Sequence, residues 1–188
     1  MKRLFLLLAL CGMVAVGCTE GGIDDNINNG GGNNTEQPGG DTDEEAIEIP
    51  SNEIWYTSTN NLELLPTSTK MHIFGANLTS NIYKDGKGVL TFDGIVDKIG
   101  DGAFQGCMTL ASITIPDSVN EIGDGAFHSC SSLKEVYCKP TTPPAGGDLM
   151  FYDNASGRKI YVPTESVDAY KSAESWSYYA DYIEGYDF

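Results

Sequence analysis

Residues 99–115 read IGDGAFQGCMTLASITI, and residues 122–138 read IGDGAFHSCSSLKEVYC. The offset of 23 residues lays Phe104 on Phe127, Cys107 on Cys130, Leu110 on Leu133, Ile113 on Val136 and Ile115 on Cys138. A fixed period between about 20 and 50 residues marks a solenoid, in which each unit buries its apolar edge only against its neighbours. Ile113 and Ile115 are apolar at alternate positions, as are Val136 and Cys138. That alternation reads as a half-buried strand, one for each unit.

The period runs outward from this pair. One step back from Ile113 and Ile115 stand Leu90 and Phe92, and Val96 matches Val119 in the same way. A forward step of 24 residues carries Val136 and Cys138 to Ile160 and Val162, and Phe127 to Phe151. The additional residue therefore precedes Phe151, near the turn at residues 143–147, and Pro163 takes the place Pro116 holds two coils earlier. The expectation is about four parallel strands, through Leu90, Ile113, Val136 and Ile160, from nearly three full units. Ile99, Phe104, Leu110, Ile113 and Ile115 point inward and stack on their counterparts. Each such side chain, fully buried, contributes about 1.5–3 kcal/mol. Gly100, Gly102, Gly123 and Gly125 suit tight corners. Asp101 and Asp124 are placed to cap the turns that begin at Gly102 and Gly125.

These spacings resemble the BspA-like leucine-rich repeats of bacterial surface proteins, whose unit runs apolar-x-x-Ile-Gly-x-x-Ala-Phe-x-x-Cys-x-x-Leu-x-x-Ile-x-Ile-Pro. Ile99, Gly100, Ala103, Phe104, Cys107, Leu110, Ile113, Ile115 and Pro116 fill the unit. The second copy departs from it with Cys138 for Ile and Lys139 for Pro. The resemblance covers residues 88–183. It implies an α/β protein leaning to mainly β: a short leucine-rich repeat solenoid with a parallel sheet on one side of each coil and tight helical or irregular turns on the other. It also implies a closing segment in which Tyr161-Val162-Pro163 leads into a C-terminal helical cap, and adhesive relatives that bind host matrix proteins or other bacteria.

The start of the chain has a different character. Residues 1–18, MKRLFLLLALCGMVAVGC, join two basic residues, a short apolar run and small residues before a cysteine. The run is too short for a good spanning helix and reads as an export signal. Ala15-Val16-Gly17-Cys18 looks like a lipobox, with Ala15 where a Leu is usual, which implies cleavage before Cys18 and lipidation of its thiol; an ordinary secretory signal is the alternative. A multiply acylated cysteine holds a protein firmly to a membrane, because each buried methylene contributes about 0.8 kcal/mol.

Residues 18–49 are rich in Gly, Asn, Asp and Glu and have little to bury, so they read as a tether. Asp24 and Asp25 resemble an outer-surface export tag, with a plain solvated spacer as the alternative. Asp24, Asn26 and Asn28 have calcium-loop spacing, but Asn29 stands where that loop needs Gly, and the idea is rejected. The remaining divisions are a domain at residues 50–188, with an N-terminal β cap to residue 87, repeats at 88–163 and the C-terminal cap from 164. Within the first cap, Ile54, Trp55 and Tyr56 form one expected strand, Met71 to Phe74 a second, and residues 84–87 a turn. Trp55 is read either as a buried cap aromatic or as a sugar-stacking ring. Residues 163–183, PTESVDAYKSAESWSYYADYI, fit a helix opened by Thr164.

The formal charge is −16, and loss of Lys2 and Arg3 on cleavage makes it more negative. No basic stripe is left for phosphates, so nucleic acid is not an expected partner. No cofactor or metal is expected either: His128 is near Cys130, yet no C-x-x-C pair exists. Cys107, Cys130 and Cys138 are read as buried thiols, although Cys107 and Cys130 stand at equivalent places where a disulfide is open. A nucleophile built from His128 with either thiol is unfavourable, because an inward cysteine is inert. Asp117-Ser118-Val119 resembles a short sugar-acceptor motif.

Between the inward positions, side chains face out of the sheet. Thr91, Thr114, Tyr137 and Tyr161 form one such row, with Val89, Ser112, Glu135 and Lys159 beside it. This is the candidate binding face for a host or bacterial surface protein or a glycan, with the membrane engaged only through the lipid on Cys18. The contrary reading is that the Tyr and Thr side chains merely support strand pairing. The function expected is a cell-envelope lipoprotein of the outer membrane or cell surface presenting an adhesion or recognition module. The alternative is an accessory envelope subunit without a ligand, for example in a glycan-uptake system. Paired carboxylates or an activated nucleophile, the marks of an enzyme, are not evident.

Overall fold

The computed structural model describes residues 48–66 and 71–188. The residues read above as an export signal, Cys18, and the expected tether up to residue 47 lie outside the described residues. In chain order the elements are β1 (Glu53–Ser58), α1 (Met71–Phe74), β2 (Leu78–Lys84), β3 (Lys87–Phe92), β4 (Lys98–Ile99), β5 (Leu110–Ile115), β6 (Glu121–Ile122), β7 (Glu135–Cys138), β8 (Ala145–Gly146) and β9 (Lys159–Pro163). After a 3-10 turn at Thr164–Ser166 come α2 (Val167–Ser172), a second 3-10 stretch at Ser177–Tyr182, and β10 (Ile183–Tyr186).

The repeat builds what its spacing dictates. Strands β5, β7 and β9 pair in parallel, with Ile113 opposite Val136 and Val136 opposite Ile160. On the adjoining side of each coil, β4, β6 and β8 form a second parallel ladder, Ile99 against Ile122 and Ile122 against Gly146. The turns stack too. Phe104 N donates to Ala126 O at 2.7 Å, and Phe127 N to Met150 O at 2.9 Å. Phe104, Phe127 and Phe151 form one column, with centroids 5.3 and 5.2 Å apart and planes within 5° of parallel. Glu121 already pairs with Ala145, a step of 24, while Ile115 pairs with Cys138, a step of 23. The additional residue therefore lies between Cys138 and Ala145.

Several expectations are corrected. Leu90 and Phe92 do not lie in the parallel strand next to Ile113. The long sheet runs β10-β9-β7-β5-β1-β3-β2, and β1 stands between β5 and β3, antiparallel to both. Leu90 and Phe92 are buried all the same. Alternation places a residue on a face but is silent on its neighbour's identity and direction, so the earlier strand took the slot. The coil-to-coil relation is regular only from Asp97, whose carbonyl accepts from Asn120 N at 2.9 Å.

Residues 71–74 are one helical turn, not a strand. Its Ile73 carbonyl accepts from Gly100 N at 2.7 Å, and Phe74 sets its ring 5.8 Å from Phe104, edge to face. The turn stands where a preceding coil would stand. Gly75, at φ +80°, then reverses the chain.

The helix expected from Thr164 is broken into three pieces, and β10 follows it, parallel to β9. Thr164 does not cap a helix; its hydroxyl donates to Asp187 Oδ1 at 2.6 Å. The break lets Trp176 bury itself 6.0 Å from Phe151 and donate to Pro144 O at 2.7 Å. Asp101 and Asp124 also act between coils instead of within a turn. Asp101 Oδ1 accepts from Asp124 N at 2.9 Å, and Asp124 Oδ1 from Asp148 N at 2.7 Å.

Candidate binding face

On the outer face of the long sheet, register determines which side chains meet. Trp55 pairs with both Val89 and Thr114, Thr114 with Tyr137, Tyr137 with Tyr161, and Tyr161 with Glu184. Beside this row runs Thr57, Ser112, Glu135 and Lys159. Thr114, Tyr137, Tyr161, Ser112, Glu135 and Lys159 are thus brought together as expected. Thr91 and Val89 are not in their expected places: Thr91 pairs with Glu53 of β1, a full strand away from Thr114, and Val89 joins the row through Trp55.

Tyr137 and Tyr161 stack at 4.9 Å with planes 21° apart. Tyr186 closes on both, at 5.4 and 5.6 Å, and Phe188 lies 5.0 Å beyond Tyr186. Tyr137 donates its hydroxyl to Glu135 Oε2 at 3.3 Å. Burial first, and then the neighbouring Glu135 carboxylate, push its phenol up to about 12. Lys159 is paired with Glu184, whose carboxylate accepts a hydrogen bond from the ammonium and so raises its affinity for its proton.

Trp55 is half-buried on this face, neither sealed in a core nor fully open. Its Nε1 donates to Glu53 Oε2 at 2.7 Å, and Lys87 Nζ stands 2.9 Å from its ring centroid. Burial lowers the Lys87 ammonium's proton affinity, with Glu53 opposing the shift. Sequence reasoning missed Glu53, Trp55, Glu184, Tyr186 and Phe188 as members of this face. Period alone could not find them, because β1 enters antiparallel and β10 follows an interrupted helix.

The other candidates resolve simply. Cys107, Cys130 and Cys138 are free thiols. Burial pushes Cys130 and Cys138 up to about 12, so neither supplies a thiolate near neutrality. Cys138 is more than filler, since its Sγ lies 3.5 Å from the Tyr170 hydroxyl. His128 turns to Tyr152, 5.5 Å away, and to Ser129, whose Oγ lies 3.0 Å from His128 Nδ1 and donates to Asp153 Oδ2 at 3.1 Å. Ser118, in the sugar-acceptor motif, is half-buried and donates to Val96 O at 2.8 Å. Among the described residues no group of His, Cys, Asp and Glu could hold a metal ion, and no helix is long and apolar enough to cross a membrane.

Coils of 23 or 24 residues, each adding one strand to a common parallel sheet, define a leucine-rich repeat solenoid. Residues 89–178 match the family model for the BspA type leucine rich repeat region, in six copies. No curated protein matches the chain. Repeats of this type are in general modules for interaction, not enzymes.

Proposed function

We propose that this protein is an exported envelope lipoprotein, anchored through Cys18 and carried on an acidic tether, whose solenoid offers the outer face of the long sheet to a partner at the cell surface. In this reading the protein adheres to, or recognises, a macromolecule on a host or bacterial surface. The antiparallel strands β1–β3 with α1, and the segment from Thr164 onward, serve as lids. Phe74 against Phe104 and Trp176 against Phe151 at the two ends of the aromatic column support that assignment.

The observation that carries the reading is the half-exposed aromatic row Trp55, Tyr137, Tyr161 on an open sheet. A buried core does not require these rings, and a plain solvated sheet would not gather them. The full chain and a Tyr137→Ser, Tyr161→Ser double variant, shown by circular dichroism to fold alike, are compared in capture of surface proteins and glycans from host matrix and bacterial envelopes. Loss of capture supports the face. Equal capture by both removes it and leaves the accessory role. Radiolabelled palmitate entering the wild-type chain but not Cys18→Ala tests the anchor.

A further inference from the structure

Resting on the reading of the sheet face as the binding surface, we infer that its partner is a cationic protein, one that presents arginine or lysine side chains to the carboxylates and ring faces between Trp55 and Tyr161.

Ring geometry argues first. A sugar ring stacks on an aromatic face that lies open. Here Tyr137 and Tyr161 turn their faces toward each other at 4.9 Å, and Tyr186 closes on both. What they offer outward is a ridge of ring edges and hydroxyls, which suits the mixed apolar and hydrogen-bonding contacts of a protein surface.

Trp55 argues second. Its face already holds a cation: Lys87 Nζ is 2.9 Å from the ring centroid, with the Glu53 carboxylate bound to the indole N–H at 2.7 Å. An indole face beside a carboxylate favours an ammonium or guanidinium. Lys87 is exposed, so it can swing out and yield this place to a partner's side chain.

Charge argues third. Lys159 is paired with Glu184 and Lys87 is held at Trp55 and Glu53, whereas exposed Glu135 has only the Tyr137 hydroxyl and no paired cation among the described residues. The whole chain carries −16, a field that draws basic partners and repels acidic ones.

The test is an NMR titration of the isotope-labelled full chain with hepta-arginine, hepta-glutamate and cellohexaose. The expected result is saturable shifts at β1, β5, β7 and β9 amides with hepta-arginine alone. Binding should weaken roughly tenfold as ionic strength rises from about 0.05 to about 0.3 M. Glu135→Gln and Trp55→Leu should each weaken it several-fold with the fold intact; should Trp55→Leu misfold, Glu135→Gln carries the test. Shifts scattered over the whole surface, or untouched by Glu135→Gln, overturn the inference. Cellohexaose moving the Tyr137 and Tyr161 signals overturns the cationic partner while keeping the face. No sheet response to any probe, together with equal capture by the Tyr137→Ser, Tyr161→Ser variant, overturns both.

Discussion

Phe127 lies between Phe104 and Phe151 with no exposed surface, so its ring has protein on both faces. Phe127→Ala should cost about 3–5 kcal/mol in urea unfolding, through lost burial and the cavity left in the column. Phe127→Leu should cost clearly less. The buried thiols set a pH dependence. Cys138 and Cys130 are held near 12 when folded against an ordinary value of 9.0. The unfolded chain sheds these protons near pH 9 and the folded chain keeps them, so their contribution is whole below pH 9 and drains away toward pH 12. Alkaline unfolding monitored at rising pH should show this decline, and Cys138→Val should flatten part of it. At pH 8, Cys130 and Cys138 should resist an aromatic disulfide reagent until the chain is unfolded. Prompt reaction of either would contradict their burial.

At the scale of the element, glycines with different duties should separate. Gly123 faces the coil below so closely that a Cβ would come 2.6 Å from Asp101 N, a backbone atom that cannot yield. Gly106 has φ +72° but open space around it. Gly106→Ala should cost about 1–3 kcal/mol from backbone strain alone, and Gly123→Ala more, with broadened signals in β4 and β6. Thermal unfolding of the two variants checks the order.

The same scale shows what a reader of the chain can and cannot recover. The columns through Phe104 and Ile113 were legible because each coil repeats one solution to one packing problem, and every repetition adds evidence. Strand β1 was legible as a strand from Ile54, Trp55 and Tyr56. Its place between β5 and β3 was not, since alternation carries no information on strand direction. The single turn α1 is too short to show a helical period, and residues 71–74 mix apolar and polar types as an edge strand would. The interruption after α2 goes with Trp176 reaching the Pro144 carbonyl, a tertiary contact with no local mark. For the binding face the consequence is plain: Tyr137 and Tyr161 were found by period, while Trp55 and Tyr186 required the fold.

Over the whole molecule, each coil touches only its neighbours, so stability should be graded along the stack. Trp176→Ala removes the indole from Phe151 and Pro144 at one end. Hydrogen exchange of that variant should quicken first in β9 and β10, then in β7, and least in β1, β3 and β5. Uniform quickening would mean a single cooperative unit in place of a stack.

Parallel stacking of equivalent residues is the claim on which the face, the lids and the partner all depend. Proton–proton contacts in solution read it directly. Ring contacts joining Phe104 to Phe127 and Phe127 to Phe151 should appear, with the amide-to-α pattern of parallel strands linking Ile113, Val136 and Ile160. Strong α-to-α contacts between β5 and β7, the mark of antiparallel strands, or missing contacts among the three rings, would contradict the account.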